Sequence, residues 1–393
     1  MALYEQYSRK AVSVMKKVLC LLLVFLLPAL SLAEGLTYTQ APLDLGDDVL
    51  RIAGAVQLPE GQIAINYHID AGESWVEAIA AFDGQGSLLW NHELYAYEAD
   101  MYPKVRVLTV RGEEIECVLY DQIASDDDRL HRQEIRLSFT GEVLGVEDSG
   151  MVPLAEKATV YHCGNFLVER YFGDYSAPET QVAITHLPTG NVRQYEMIIG
   201  TGNFHAFGDR LMYIRHGSEE DEGLWLFDEK GDMLAENAPL PFAGRNPVVA
   251  FSAQDEQRLY LFSWDDGDYS AQESGYMVYP VDAEMNIQEP LCSFSLGSVE
   301  PREDVFMLDL VKSLSQPVRC GEGFLLLAMH PWVWQEPLAY DLCYLSMDGT
   351  VTVLETIAQA DDDQVLLLPG EKAGTARLIL RSGDGYVQRI YGE

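Results

Sequence analysis

One pattern constrains this chain more than any other: a glycine or acidic turn followed at once by an apolar strand, written seven times. It begins at Gly61 (GQIAINYH), Gly112 (GEEIECVLY), Gly164 (GNFLVERYF), Gly208 (GDRLMYIRH), Gln257 (QRLYLFSW), Gly323 (GFLLLAMH) and Gly374 (GTARLILRS). The spacings are 51, 52, 44, 49, 66 and 51 residues. A second turn keeps step at Gly86, Gly141, Gly190, Gly231, Met285, Gly349 and Gly385, 23 to 29 residues after the first turn in the first six copies. Two interleaved series sharing one period of about 50 residues mark a repeat protein.

Each copy carries a further strand ahead of its first turn, as in VRVLTVRG (105–112) and ATVYHCG (158–164). One strand before that turn, two between the turns and one after make four antiparallel strands. Seven such units predict an all-β fold, a seven-bladed β-propeller of four-stranded antiparallel blades. LYLFSW, FLLLAMH and ARLILRS are apolar without alternation, as expected when blades stack and cover both faces of each sheet. In the seventh copy the two turns are 11 residues apart, so VLLL (365–368), ARLILRS (376–382) and YVQRIYG (386–392) supply three strands. A spare strand, LTYTQAPL (36–43), precedes the first copy and is expected to complete the last blade, closing the ring and removing its sheet edges. A six-bladed ring or a pair of β-sandwiches leaves this three-plus-one split without a role.

The hairpin AFDGQGSLLW (81–90) resembles the repeat of the pyrroloquinoline-quinone-type propellers, roughly Ala-x-Asp-x-x-x-Gly-x-x-x-Trp, which also occurs in cofactor-free outer-membrane assembly scaffolds. Ala81, Asp83 and Trp90 fit it, with Gly86 one place early, and LFDEKGDMLA (226–235) keeps Leu226, Phe227, Asp228 and Gly231. The resemblance implies the propeller fold over most of the chain. The adjacent Cys-Cys pair of quinoprotein dehydrogenases is missing, and the docking Trp stands in one copy of seven. The resemblance therefore implies the fold and not the quinone chemistry.

At the start, Arg9, Lys10, Lys16 and Lys17 precede VLCLLLVFLLPALSLA (18–33), which ends in Ser31-Leu32-Ala33. The apolar run is shorter than a membrane span and is interrupted by Pro28, so residues 1–33 read as a cleaved secretory signal and 34–393 as a single propeller domain. MKKVLCLLL from Met15 is a complete bacterial-style signal by itself, which leaves Met1 and Met15 as alternative starts. Cys20 lies inside the run, against a lipid anchor. A secreted or cell-envelope location without stable membrane insertion follows.

The chain has 26 Lys plus Arg against 62 Asp plus Glu, and cleavage would leave 22 against 61. Nucleic acid is excluded as a partner, because phosphate backbones require basic clusters. The apolar fraction, 48%, is too high for disorder. Five cysteines remain after cleavage (Cys117, Cys163, Cys292, Cys320, Cys343), an odd number without CxxC spacing. Buried free thiols are expected, with one or two bridges as the alternative, and no zinc site.

Loops joining second to third strands, and one blade to the next, share a rim. They are long here, notably YDQIASDDDRLHR (120–132), SWDDGDYSAQESG (263–275) and HPWVWQEPLAY (330–340), whereas the opposite rim has tight turns. Function on β scaffolds concentrates in such loops. Blades five and six supply the candidate ligand-binding set: Trp264, Asp265, Asp266, Asp268, Tyr269, His330, Trp332, Trp334, Glu336 and Tyr340. Aromatic planes flanked by carboxylates suit sugars or cationic groups; the competing reading is that the rings pack the loops and the acids are solvated. The insert GSVEPREDVFMLDLVKSLSQ (297–316), with Phe306 and Leu310 four apart, suggests a short helix over the rim. Asp265, Asp266, Asp268 and Glu273 depart from EF-hand spacing, so calcium is a minor alternative and no cofactor is expected. His68, His216 and His330 recur at the ends of second strands, off the axis, and are expected to be rim residues that do not converge on a metal. No GxSxG, HExxH or P-loop is present. The sequence thus points to a binding or scaffold propeller acting on a ligand or an extracytoplasmic protein. The alternative is a carbohydrate-active enzyme using rim carboxylates.

Overall fold

The computed structural model describes residues 36–72, 75–97, 104–122, 129–153, 158–171, 180–197, 201–216, 223–240, 242, 247–265, 275–299, 312–331, 338–359, 365–383 and 385–392. These residues form 28 strands in seven four-stranded antiparallel sheets. The first strand, β1 (Tyr38–Leu43), belongs to the last blade. Blade one comprises β2 (Val49–Gln57), β3 (Ile63–Asp70), β4 (Trp75–Phe82) and β5 (Leu88–Tyr97). Blade two comprises β6 (Lys104–Arg111), β7 (Glu114–Gln122), β8 (Arg129–Ser138) and β9 (Val143–Pro153). Blade three has β10 (Ala158–Cys163), β11 (Phe166–Tyr171), β12 (Thr180–His186) and β13 (Asn191–Met197). Blade four has β14 (Thr201–Phe207), β15 (Arg210–His216), β16 (Gly223–Phe227) and β17 (Met233–Ala238). Blade five is β18 (Pro247–Gln254), β19 (Leu259–Asp265), β20 (Gly275–Val281) and β21 (Cys292–Ser295). Blade six is β22 (Ser313–Cys320), β23 (Gly323–Met329), β24 (Leu338–Leu345) and β25 (Val351–Gln359). Blade seven takes β26 (Leu366–Pro369), β27 (Ala376–Ser382) and β28 (Gly385–Tyr391) from the end of the chain and β1 from its beginning.

The three-plus-one closure expected from the sequence is the one observed. β1 pairs with β28 along its whole length, from Tyr38 opposite Tyr391 to Leu43 opposite Tyr386. The first strands of successive blades touch one another around the ring, and β2 touches both β6 and β26, so no gap remains between blades seven and one.

Second strands such as IAINYHID of β3 and GFLLLAM of β23 are buried nearly end to end. Their side chains fill the gaps between blades rather than one central core. Phe262 and Val278 of blade five, for example, meet Phe324 and Leu326 of blade six, and Leu327 and Leu342 of blade six meet Leu378 of blade seven. Each fully buried Leu, Ile or Phe contributes about 1.5–3 kcal/mol, which explains the loss of strand alternation here.

The recurring hairpin is one hydrogen-bonded device. Asp83 N–H donates to Ser87 O, Gly86 N–H to Asp83 O, and the Asp83 carboxylate accepts from the Gln85 and Ser87 amides. Asp228 and Asp282 repeat this network, and Ser138 and Ser346 repeat its backbone part. Met285 takes the left-handed place that glycine holds elsewhere, at φ +67°, and is buried. Two turn positions read from the sequence are corrected. The left-handed residues are Gly321 and Gly383, not Gly323 and Gly385. The turn before Gly385 joins second to third strand, so it lies on the opposite rim from Gly86. The insert proposed as a helix lies largely outside the described residues; among these the one helical segment is the single turn Pro59–Gly61.

Candidate functional site

The candidate set stands at the end of the second strands in blades five and six. Asp266, Asp268, Tyr269, Trp332, Trp334 and Glu336 lie outside the described residues, as does Glu273, and Asp265 is the last residue of β19. Trp264, beside it, is half-buried. Its ring stacks on Tyr276 (centroids 6.5 Å apart, 19° between planes), and Tyr276 stacks on Phe294 (5.2 Å, 17°). The Tyr276 hydroxyl accepts from the Leu314 amide at 2.9 Å, tying this stack to blade six. Tyr340 is buried among Leu342, Val365 and Leu378 in the gap between blades six and seven, where burial raises its phenol pKa. Its bulk therefore belongs to the core.

His330 is the centre of a polar cluster. Its Nε2 lies 3.0 Å from Asp341 Oδ1, Lys312 Nζ donates to Asp341 Oδ2 at 2.6 Å, and Thr356 Oγ1 donates to Asp341 Oδ1 at 2.7 Å. Burial alone would raise the Asp341 pKa; the hydrogen bonds from Lys312, Thr356 and His330 outweigh it and hold the carboxyl below the ordinary range. The cluster draws on the segment before β22, the end of β23, and strands β24 and β25, so it locks the loop end of blade six in one arrangement.

Blade one carries a comparable network that sequence reasoning missed. His68 Nε2 stands 2.7 Å from Glu77 Oε2, and both side chains are almost fully buried, at 2% and 1% exposure. Arg51 Nε donates to His68 Nδ1 at 3.0 Å, Asn66 Nδ2 donates to Glu77 Oε1 at 2.6 Å, and Trp75 packs edge-on against the His68 ring. The histidine has both nitrogens engaged and orders the hairpin rather than facing a substrate. His68 and His216, expected at the rim, are both buried, because β3 and β15 are covered almost to their ends. Among the described residues no three of His, Cys, Asp and Glu come together as a metal-ligand set.

The five cysteines among the described residues are free. Burial pushes the thiols of Cys117, Cys163 and Cys343 up to about 12 and that of Cys320 to about 11. Thiols so far from ionisation are poor nucleophiles.

Among the described residues, concavities open on the tight-turn rim. One, about 640 Å³, sits at the seam between blades seven and one, over Arg377 and Gln388. A second, about 360 Å³, opens the central channel between His162, His205 and Arg319. His205 is buried there, with Nδ1 3.1 Å from Ser252 Oγ and Nε2 3.3 Å from Val249 O, and burial lowers its pKa to about 4. A third, about 420 Å³, lies between blades one and two. It is bordered by Trp90, whose Nε1 donates to Phe139 O at 2.8 Å. Gly141 faces this indole so closely that a β-carbon would stand 2.6 Å from its Cγ. The tryptophan singled out in the hairpin thus docks one blade's outer strand on the next blade's turn.

No protein-family model matches the chain, and no curated protein matches it. Solved structures do. The WD40 domain of SCAP from fission yeast is 9% identical, with a TM-score of 0.39 over 90% of this chain and 98% of that one. The β-propeller domain of the Trilobed protease from Pyrococcus furiosus is 11% identical, with a TM-score of 0.45 over 86% and 97%. One prolyl endopeptidase is 10% identical, with a TM-score of 0.45 over 90% of this chain and 46% of its own. Likeness at this level concerns the fold alone, and the blade count here rests on the sheet topology.

Proposed function

We propose that the protein is an extracytoplasmic β-propeller that works by binding, holding a carbohydrate, a cationic group or an extracytoplasmic protein on the loop rim of blades five and six. The observation that carries this reading is the rigid mounting of the loop ends. Trp264 is fixed by its stack on Tyr276, and His330 by the Lys312–Asp341–Thr356 cluster. Loops that leave a rigid frame present their side chains at low entropic cost, which favours recognition. The segments between those mounts are DDGDYSAQES and WVWQEP, acidic and aromatic together. That chemistry suits C–H faces that stack on rings while hydroxyl or ammonium groups meet carboxylates.

The test is a glycan and metabolite screen on the protein purified from the culture envelope fraction, with its N-terminus sequenced. The expected N-terminus is Glu34. Changing Trp332 and Trp334 together to Ala should abolish binding of the compound found, with a stability change of only about 0.5 kcal/mol, as for surface positions. A large drop in melting temperature with unchanged affinity would refute the site. Release of new reducing ends from a bound glycan, lost in Asp266→Asn or Asp268→Asn, would instead establish a carbohydrate-active enzyme.

A further inference from the structure

The seam concavity on the opposite rim is built from departures from the repeat. Two residues separate the first strand from the second in blades two, three, four and six. Five do so in blade one (58–62) and six in blade seven (370–375), and the cavity of about 640 Å³ lies between these two enlarged turns. At its floor are Arg377 and Gln388, each 1% exposed. Counted from the first turn of each blade, Arg377 takes the place of Ala64, Ile115, Leu167, Leu211, Tyr260 and Phe324. By cross-strand register, Gln388 takes the place of Ile79, Ile135, Ala183, Trp225, Val278 and Cys343. Six blades place apolar groups at both positions, buried at all but Leu167; the seventh buries a cation and an amide.

Part of their work is structural. Arg377 Nη2 donates to Gly61 O at 2.6 Å, and Gln388 Nε2 donates to Asp83 O and Gly84 O, both at 3.3 Å, so both side chains reach across the seam to blade one. Two carbonyls can accept only from the amide nitrogen, which sets the orientation of the Gln388 amide. Its Oε1 is then buried without a hydrogen-bond donor among the described residues. An unmatched buried acceptor costs about 1–3 kcal/mol, and pinning the seam needs only the other half of the amide. The walls carry more carboxylates than cations: Glu60, Asp83 and Glu371 stand against Lys372, with Arg377 at the floor. Glu60 rises from the blade-one turn at φ +58°, a left-handed conformation that costs a residue with a side chain about 1–2 kcal/mol. Glu371 Oε2 hangs over Gly61, 2.8 Å from where a β-carbon would project, and Gln40, Gln62 and Gln85 line the sides.

We propose that this cleft binds a small organic cation bearing primary ammonium groups, whose N–H donors meet the Gln388 Oε1 and the carboxylates of Glu60 and Glu371. The volume suits a ligand of that size. A free polyamine and an amino sugar share the chemistry, and separate arms distinguish them.

The experiment is calorimetric titration of the full-length secreted chain, at about 150 mM salt to screen diffuse attraction to the acidic surface, with spermidine, glucosamine and N-acetylglucosamine. One site per chain is expected for at least one of the two amines and none for the acetylated sugar. Glu60→Gln and Glu371→Gln, both on surface turns, should each weaken binding about ten-fold, the worth of one charge-assisted hydrogen bond. Gln388→Leu, which restores the residue type of the other blades, should abolish it, while Trp332→Ala leaves it intact. Failure of both amines to bind, binding at many sites unchanged by the glutamate variants, or equal binding of the acetylated sugar would overturn the proposal. So would a Gln388→Leu protein that binds like the parent, which would leave the amide as a seam pin only. If Gln388→Leu does not fold, the two glutamate variants decide.

Discussion

Blades six and seven are neighbours built from the same four-strand plan, yet they solve burial differently. Blade six is one continuous stretch of chain; its second strand, GFLLLAM, buries only apolar groups, and its one fully buried charged side chain among the described residues, Asp341, sits in the His330 cluster at its loop end. Blade seven is assembled from the two ends of the chain and buries Arg377 and Gln388 in its middle. The difference teaches what closure demands. Apolar contact is non-directional, so it holds a blade whose register is already set by its own hairpins. A blade completed by a strand whose partners lie 343 to 353 positions along the chain has no hairpin to set that register. Hydrogen bonds from Arg377 to Gly61 O, and from Gln388 to Asp83 O and Gly84 O, supply position as well as attraction.

The comparison breaks most severely if β1 is dispensable. Deleting residues 34–45 removes the fourth strand of blade seven and uncovers β28, and the expected loss is about 5 kcal/mol or more, on the scale of a domain's whole stability, accompanied by self-association through the open edge. Calorimetry and light scattering on the truncated protein measure both. An unchanged melting temperature in a monomer would show that the ring is held by the other six blades alone.

Acid should act on the uninterrupted blades rather than on the seam. His205 of blade four has a folded pKa of about 4, depressed by burial from an ordinary value of 6.5. The unfolded chain therefore binds more protons between those values, and stability falls as pH drops from about 6.5 toward 4, by roughly 3 kcal/mol if the shift is fully expressed. Arg377 and Gln388 do not titrate in that window. Hydrogen exchange at pH 5 should report loosening around β14 and β18 before β28, and His205→Gln should flatten the pH dependence. Equal slopes for both proteins would contradict the assignment.

A smaller effect separates a seam turn from an ordinary one. Gly86 (φ +83°) packs against the Pro42 carbonyl of β1, so an alanine there meets both backbone strain and a clash, whereas Gly112 (φ +63°) faces open space. Gly112→Ala should cost about 1–2 kcal/mol, the left-handed penalty alone. Gly86→Ala should exceed it by about 2 kcal/mol, as overpacking does. Equal costs, measured by denaturant melts, would mean that β1 yields freely at the seam.

Much of this architecture was legible because local signals repeat. The turn spacing marked the blades even at Met285, where the left-handed residue is not glycine, and the eight residues LTYTQAPL had no other place in the count. Legibility ended where contacts cross blades. Six of the ten candidate residues lie outside the described segments, and Tyr340, read with the loops, points its bulk into the gap between blades because β24 begins two residues before it. The His68–Glu77 pair could have been found: hairpin partners keep a constant sum of positions, and Ile63 with Phe82 fixes the register that joins them. Arg377 could also have been found by aligning the seven first turns, where it is the one charged residue in an apolar column. The meeting of Gln388 with Gly84 could not, since no local pattern relates residues 304 positions apart.

The antiparallel zip between β1 and β28 also gives the ring a direction of mechanical weakness. Tyr38 and Tyr391 lie opposite each other at the same end of that ladder. A tension applied across these two residues loads one pair of backbone hydrogen bonds at a time and peels β1 away from Tyr38 toward Leu43. The same tension applied between Leu43 and Tyr391 would instead shear the six pairs together. The propeller is therefore a clasp that opens at low force when drawn apart by its ends, and resists when pulled along the strand.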